Sequence, residues 1–339
     1  MKKTEDIPET MHAMVLSEPG AVLTQMQVPI PRPGLGQVLI KVTACGVCRT
    51  DLHILEGDLK DGKYPLIPGH EVVGKVVAVG PGVSALRQGD VVGVPWLAYT
   101  CGKCRYCRDG KENLCERALF TGYTVDGGYA EYLVAFERYC FPIPPAYQHA
   151  WAVPLLCAGL IGYRSYRMLS GDCTKIGIYG FGAAAHILIQ IAVAHQKQIY
   201  AFTRKGDVAA QQLALELGAV WAGDSSQKPP DQLDGAILFA PAGELVPKAL
   251  SDTGKGATVV CGGIHMSDIP SFPYNLLWQE RVVRSVANLT VSDGHDFFEQ
   301  ISISPVQIRT ELFPLAEADL ALQALREGKI HGAAVLYVE

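Results

Sequence analysis

The chain has 339 residues, of which 49% are hydrophobic and 19% charged, so it can bury large cores and is not a disordered polymer; the length suits two domains of about 100–200 residues each. A net charge of −5 argues against nucleic acid or an anionic membrane as the main partner, because both select basic surfaces. The start, MKKTEDIPETMH, has no apolar stretch behind its lysines, and the densest apolar run, HILIQIAVA, falls far short of the roughly 18 residues of a membrane span, so a cytoplasmic protein with ten reduced cysteines is expected.

From residue 13 to about 150 the chain is rich in Val, Gly and Pro. Strand-like runs such as QVLIKVTACGV and EVVGKVVAVG are separated by turn signals such as PRPGLGQ and GPGVSALRQGD, which predicts an irregular all-β domain. Near residue 160 the texture changes. KIGIYGFGAAAHILIQIAVAHQKQIYAF reads as strand, glycine turn, apolar helix and strand, with further strands at DGAILFA and ATVVCGG and helices at VAAQQLALELGA and LVPKAL. Strand alternating with helix predicts a doubly wound parallel sheet. LAEADLALQALREGKI reads as an amphipathic helix, followed by the short strand AAVLYV.

The segment CGKCRYCRDGKENLC holds Cys101, Cys104, Cys107 and Cys115. This spacing wraps one short lobe around one tetrahedral ion, and zinc with four thiolates at about 2.3 Å suits it. Such a site is closed and does no chemistry, so a reaction centre is expected elsewhere. Three separate segments, CGVCRTDLH, PGHE and PLLCAGL, supply Cys48, His70 and Cys157. Two thiolates and one imidazole are a ligand set of catalytic zinc with a fourth position open, which polarises an alcohol or carbonyl oxygen. Cys45 stands three residues before Cys48 as a rival ligand. Cys45, Cys140, Cys173 and Cys261 otherwise read as small buried apolar residues.

Taken in order, GVCRTDLH, GHE, the four-cysteine lobe, DGGYAEY and PLLCAG resemble the zinc-dependent alcohol dehydrogenases of the medium-chain dehydrogenase/reductase superfamily, over residues 13 to 337. The resemblance implies a β-rich, GroES-like catalytic domain at 1–158 and 297–339, a Rossmann domain at 159–296, and an active site in the cleft between them. It also favours Cys48 over Cys45, because Cys48 directly precedes the Arg-Thr-Asp run. Asp51 would accept a hydrogen bond from His70, the usual partner of a ligating imidazole. Glu71 would lie behind the zinc, either ligating it transiently or never touching it. Thr50 would hydrogen-bond the substrate oxygen and begin a proton relay that His53 ends at solvent, and Arg49 would contact the cofactor pyrophosphate.

Gly180, Gly182 and Ala185 form the dinucleotide fingerprint, placed between a strand and a helix. The next strand ends in Thr203-Arg204, where NAD-dependent relatives usually carry an acidic residue. Its absence and the charge of Arg204 favour NADP(H), while Asp207 keeps NAD open. Ala333 stands where the family often places a cofactor-binding arginine, so one contact is expected to be missing. Trp96 and Tyr123 read either as the lining of an apolar substrate pocket or as core.

The expected activity is hydride transfer between a small to medium alcohol or aldehyde and NAD(P), with two zinc ions per subunit and a homo-oligomer, tetramer or dimer. The rival readings are an NADPH-dependent reductase of bulky or aromatic aldehydes, a zinc-free quinone reductase on the same fold, and a non-catalytic cofactor-binding protein.

Overall fold

The computed structural model describes residues 7–330 and 332–338. The two lysines of the start, MKKTEDIPETMH, lie outside the described residues. The chain forms two compact units. One comprises the residues up to Cys157, Thr290–Phe298 and the chain from Ile308 onward. The other comprises Ala158–Leu289 and Glu299–Gln307.

The first unit is built on a seven-stranded sheet. In order across it run Thr310–Pro314, Ala333–Tyr337, Gln37–Val47, Val72–Val79, Val91–Val94 and Phe141–Pro142, with Tyr132–Phe136 pairing on Gln37–Val47. The pairs made by Gln37–Val47 are all antiparallel. The central strand buries Val38, Leu39, Ile40, Val42, Ala44, Cys45 and Val47, so both its faces are covered, which explains its nearly unbroken apolar sequence. Hairpins at Thr10–Val15/Thr24–Pro29 and Leu97–Tyr99/Leu119–Phe120 complete the β structure.

The expectation of an all-β domain needs correction: Arg49–Glu56 is an α-helix, and Arg105–Arg108 forms a single helical turn. The start of Arg49–Glu56 is fixed by Asp51, whose Oδ2 accepts the Cys48 backbone N–H at 2.8 Å, as the acidic residue of a capping box does. Leu52, Ile54 and Leu55 then face the core. A helix this short carries too few periods to be visible beside the strand-like run preceding it.

The second unit is a six-stranded, wholly parallel sheet in the order Trp221–Asp224, Gln198–Thr203, Lys175–Tyr179, Leu233–Leu238, Thr253–Cys261, Val282–Ser285. Numbered along the chain this is 3-2-1-4-5-6, the Rossmann order. Helices Ala183–Ala194, Val208–Glu216 and Leu245–Asp252 connect the strands. The apolar run HILIQIAVA lies in the first of them, and no helix among the described residues is long and apolar enough to cross a membrane.

Candidate metal centres and dinucleotide site

The three segments read as one metal centre do meet. Cys48 lies between the central strand and the helix Arg49–Glu56. His70 and Glu71 precede the strand Val72–Val79. Cys157 follows a 3-10 segment, Ala150–Leu156, whose Val153, Leu155 and Leu156 are buried. The ligand atoms of Cys48, His70, Glu71 and Cys157 all lie within 4.8 Å of one another, and Cys48 Sγ is 3.2 Å from His70 Nε2. Cys45 is outside this group; its thiol is fully buried and donates to the Gly46 carbonyl.

His70 Nδ1 is 3.1 Å from Asp51 Oδ1. A carboxylate only accepts, so Nδ1 carries the hydrogen and Nε2 is the nitrogen turned toward the thiols. Asp51 thus does two tasks, capping the helix with one oxygen and fixing the imidazole with the other. It is wholly buried and His70 nearly so.

The electrostatics of this pocket have one sense. The hydrogen bond with Cys157, then burial, push the Cys48 thiol well up. Cys157 is lowered by its bond with Cys48, but burial and the carboxylates of Glu71 and Asp51 outweigh that and raise it. Burial pushes Glu71 up to about 7. Burial pulls His70 down, yet the charges of Asp51 and Cys48 and its hydrogen bonds with both prevail and raise it well above its usual range. All four shifts favour the protonated form, which marks a site that favours added positive charge. A dication supplies that charge and leaves the thiols ionised. Glu71 Oε1 is 3.9 Å from His70 Nε2, close enough to be a fourth donor.

Beside the centre stands an aromatic stack. Trp96 meets His70 edge-on at 5.0 Å between ring centroids. It stacks on Phe120 at 5.4 Å and on Tyr123 at 5.6 Å. The Tyr123 hydroxyl donates to the Lys60 carbonyl. Phe120 was not singled out from the sequence; the short hairpin that brings it to Trp96 joins residues too far apart for local pattern to connect.

The four-cysteine lobe also closes. Cys101, Cys104, Cys107 and Cys115 bring their sulfurs within 4.8 Å of one another. Two separations, 3.9 Å for Cys101–Cys107 and 3.5 Å for Cys104–Cys107, bracket the edge of about 3.8 Å of a tetrahedron with 2.3 Å arms. Backbone N–H groups of Cys101 and Arg117 point at Cys115 Sγ, and that of Cys104 at Cys101 Sγ, each at 3.4 Å. Such donors stabilise thiolates. The backbone bond from Lys103 heads the causes that hold Cys101 down to about 5, whereas burial lifts Cys115 to about 11. Within the lobe the carboxylate of Glu112, itself buried, accepts the backbone N–H of Val291 at 2.8 Å. Cys45, Cys140, Cys173 and Cys261 are buried, as expected.

In the parallel sheet, Gly180 sits at φ 93, and a Cβ there would lie 2.6 Å from the Ala240 backbone nitrogen, so only glycine makes this turn. Gly182 caps the helix Ala183–Ala194, and a Cβ there would meet nothing within 4 Å. Packing within the chain does not require that glycine, whereas a phosphate approaching the helix N-terminus does. Ala185 is wholly buried where the helix meets the sheet. Thr203 is buried and receives the Gln211 amide at 3.0 Å, whereas Arg204 is exposed. Asp207 caps the helix Val208–Glu216 through Oδ1. Asp224, not noticed in the sequence, accepts from Gly206 N and Gln211 Nε2 and orders the turn after Arg204. Arg49 is exposed at the first position of its helix, and Thr50 and His53 are half-buried on it. Ala333 begins the strand Ala333–Tyr337.

A Rossmann-ordered sheet with a dinucleotide turn, together with a β unit holding an imidazole and two thiols around one point, defines a class: nicotinamide-linked oxidoreductases. The model of the alcohol dehydrogenase GroES-like domain matches residues 34–145. A probable alcohol dehydrogenase, AdhA, of Mycobacterium tuberculosis is 44% identical over 340 residues, covering 97% of this chain and 98% of that protein. The structure of acetophenone reductase from Geotrichum candidum in complex with NAD superposes with a TM-score of 0.86 at 28% identity, covering 98% of both chains. A cinnamyl alcohol dehydrogenase from Sorghum bicolor superposes with a TM-score of 0.87 at 25% identity, covering 97% of both. The chain belongs to the alcohol dehydrogenases that carry a GroES-like domain.

Proposed function

We propose that the chain is a cytoplasmic enzyme interconverting a small to medium alcohol and its aldehyde, with zinc held by Cys48, His70 and Cys157 and a second zinc held by Cys101, Cys104, Cys107 and Cys115. The observation that carries this reading is the convergence of Cys48 Sγ, His70 Nε2 and Cys157 Sγ, with the imidazole oriented by Asp51. When bound, the zinc polarises the substrate oxygen and the nicotinamide exchanges hydride with the substrate carbon. The chain's own groups do the rest. Thr50 hydrogen-bonds the substrate oxygen and hands its proton toward His53, which releases it to water. Asp51 keeps His70 in one tautomer. Glu71 offers a further oxygen behind the ligands. Gly180, Gly182 and Ala185 receive the pyrophosphate, and Arg49 neutralises part of its charge.

The neutral Thr203 and the exposed Arg204 support NADP(H) over NAD(H), and Asp207 is already engaged in capping its helix. The edge strand Val282–Ser285, with the exposed Tyr274 and Trp278 just before it, supports a homo-oligomer, dimer or tetramer. The stack of Trp96, Phe120 and Tyr123 beside His70 favours a second reading of the substrate, a flat bulky or aromatic aldehyde. One experiment tests these together: initial rates over a panel of aliphatic and aromatic alcohols and aldehydes, with NAD(H) and NADP(H) in parallel, before and after removal of zinc by a chelator. Activity that survives chelation with no zinc left would replace the zinc mechanism with that of a quinone reductase.

A further inference from the structure

We propose that Asp58 is a positioning residue for His53, holding the relay imidazole in one tautomer and steadying the charge it takes up each time a proton passes; this rests on the relay reading of Thr50 and His53 given above. The helix Arg49–Glu56 ends in a Schellman turn. The backbone N–H of Asp58 donates to the His53 carbonyl at 3.0 Å and that of Gly57 to the Ile54 carbonyl at 3.3 Å, with Gly57 left-handed at φ 78. A Cβ at position 57 would also press on Pro19, at 2.9 Å. This turn folds the residue after the glycine back over the residue that begins the last turn, and the contact between those two is commonly hydrophobic. Here it is a hydrogen bond between a carboxylate and an imidazole, with Asp58 Oδ2 2.8 Å from His53 Nδ1.

The chemistry follows from the two groups. The carboxylate only accepts, so Nδ1 carries a hydrogen, and Nε2 keeps the lone pair that takes up a proton. The imidazolium so formed lies against Asp58 and in the last turn of a helix, where positive charge is favoured. The proton bound at Nε2 is then released from the ring to water, and the Nδ1 hydrogen stays with Asp58; no electrons move in this step. Glu56 offers an oxygen within 4.8 Å of the same two groups, but its carboxylate is paired with Arg326 at 3.0 Å. Asp58 is therefore the carboxylate committed to the ring.

Asp58 is exposed and His53 half-buried, and a polar pair with one partner in solvent adds little to stability, so Asp58→Asn is expected to fold and melt like the native protein. Two measurements test the proposal on the intact enzyme. The first is the 15N NMR signature of His53, which should show the Nδ1–H tautomer in the native chain and a mixture of tautomers in Asp58→Asn. The second is turnover. Asp58→Asn should lower kcat by about tenfold at unchanged KM for the cofactor, with recovery on adding imidazole as an external proton acceptor and partial rescue in Asp58→Glu. On a His53→Gln background the same change should cost nothing further. A native tautomer in Asp58→Asn, or a loss that adds fully to that of His53→Gln, overturns the proposal while leaving the relay in place. His53→Gln turning over at the native rate overturns the relay reading itself.

Discussion

The two thiol-rich centres differ in how the chain builds them. The four-cysteine lobe is made from residues 101–115 alone, with backbone N–H groups of that stretch and of Arg117 directed at its sulfurs. The other centre draws on positions 48, 70 and 157, brought together by the central strand, its antiparallel neighbour and a 3-10 segment packed in the same unit. The first can hold its shape with little help from the fold. The second exists only when the sheet is complete; its His70 and Glu71 are buried, while its two thiols, like three of the lobe's four, are half-buried. Local construction suits a strut, and distributed construction suits a pocket that must leave room for a substrate.

Mutations should separate the two. Cys48→Ser is expected to have the largest effect on turnover. Losing Lewis-acid assistance of about 4 kcal/mol corresponds to roughly a thousandfold lower kcat/KM, with an unchanged melting profile and one zinc fewer per chain. A variant that keeps full turnover contradicts the assignment. Cys104→Ser should act in the opposite order. Zinc again falls by one per chain, the melting temperature drops by about 5–10 °C for a net loss of a few kcal/mol, and activity declines only as the protein unfolds. If Cys104→Ser is slow yet as stable as native, the lobe is not a strut. The smallest effect lies outside both centres. Arg204→Glu should weaken NADPH binding about tenfold or more and NADH binding hardly at all, as read by cofactor fluorescence titration. Equal losses for both cofactors remove the argument for NADP(H).

This contrast also explains what could be read before the structure. The lobe announces itself because its donors are neighbours in sequence, and the parallel sheet does so because buried strands and glycine turns alternate with apolar helices. The distributed centre needed the family resemblance to select Cys48 over Cys45, because both lie in one apolar run and spacing alone does not tell a strand residue from a helix cap. Burial decides it physically, since Cys45 points into the core beside Tyr129 and Gly69, and Cys48 begins the helix. That helix was illegible because its apolar positions, Leu52, Ile54 and Leu55, do not complete a helical period. Phe120, Asp58 and Asp224 were illegible for another reason, since their roles lie in side-chain contacts that composition does not encode.

The bond between Glu112 and the Val291 backbone spans 179 residues of chain. During synthesis at about 5–20 residues per second, Val291 emerges roughly 10–40 s after Glu112. The lobe can therefore close around its metal well before its distant partner exists. It then waits as a finished template, so a shortage of metal at that moment would be felt when the helix Val291–Ile303 arrives and finds its acceptor misplaced.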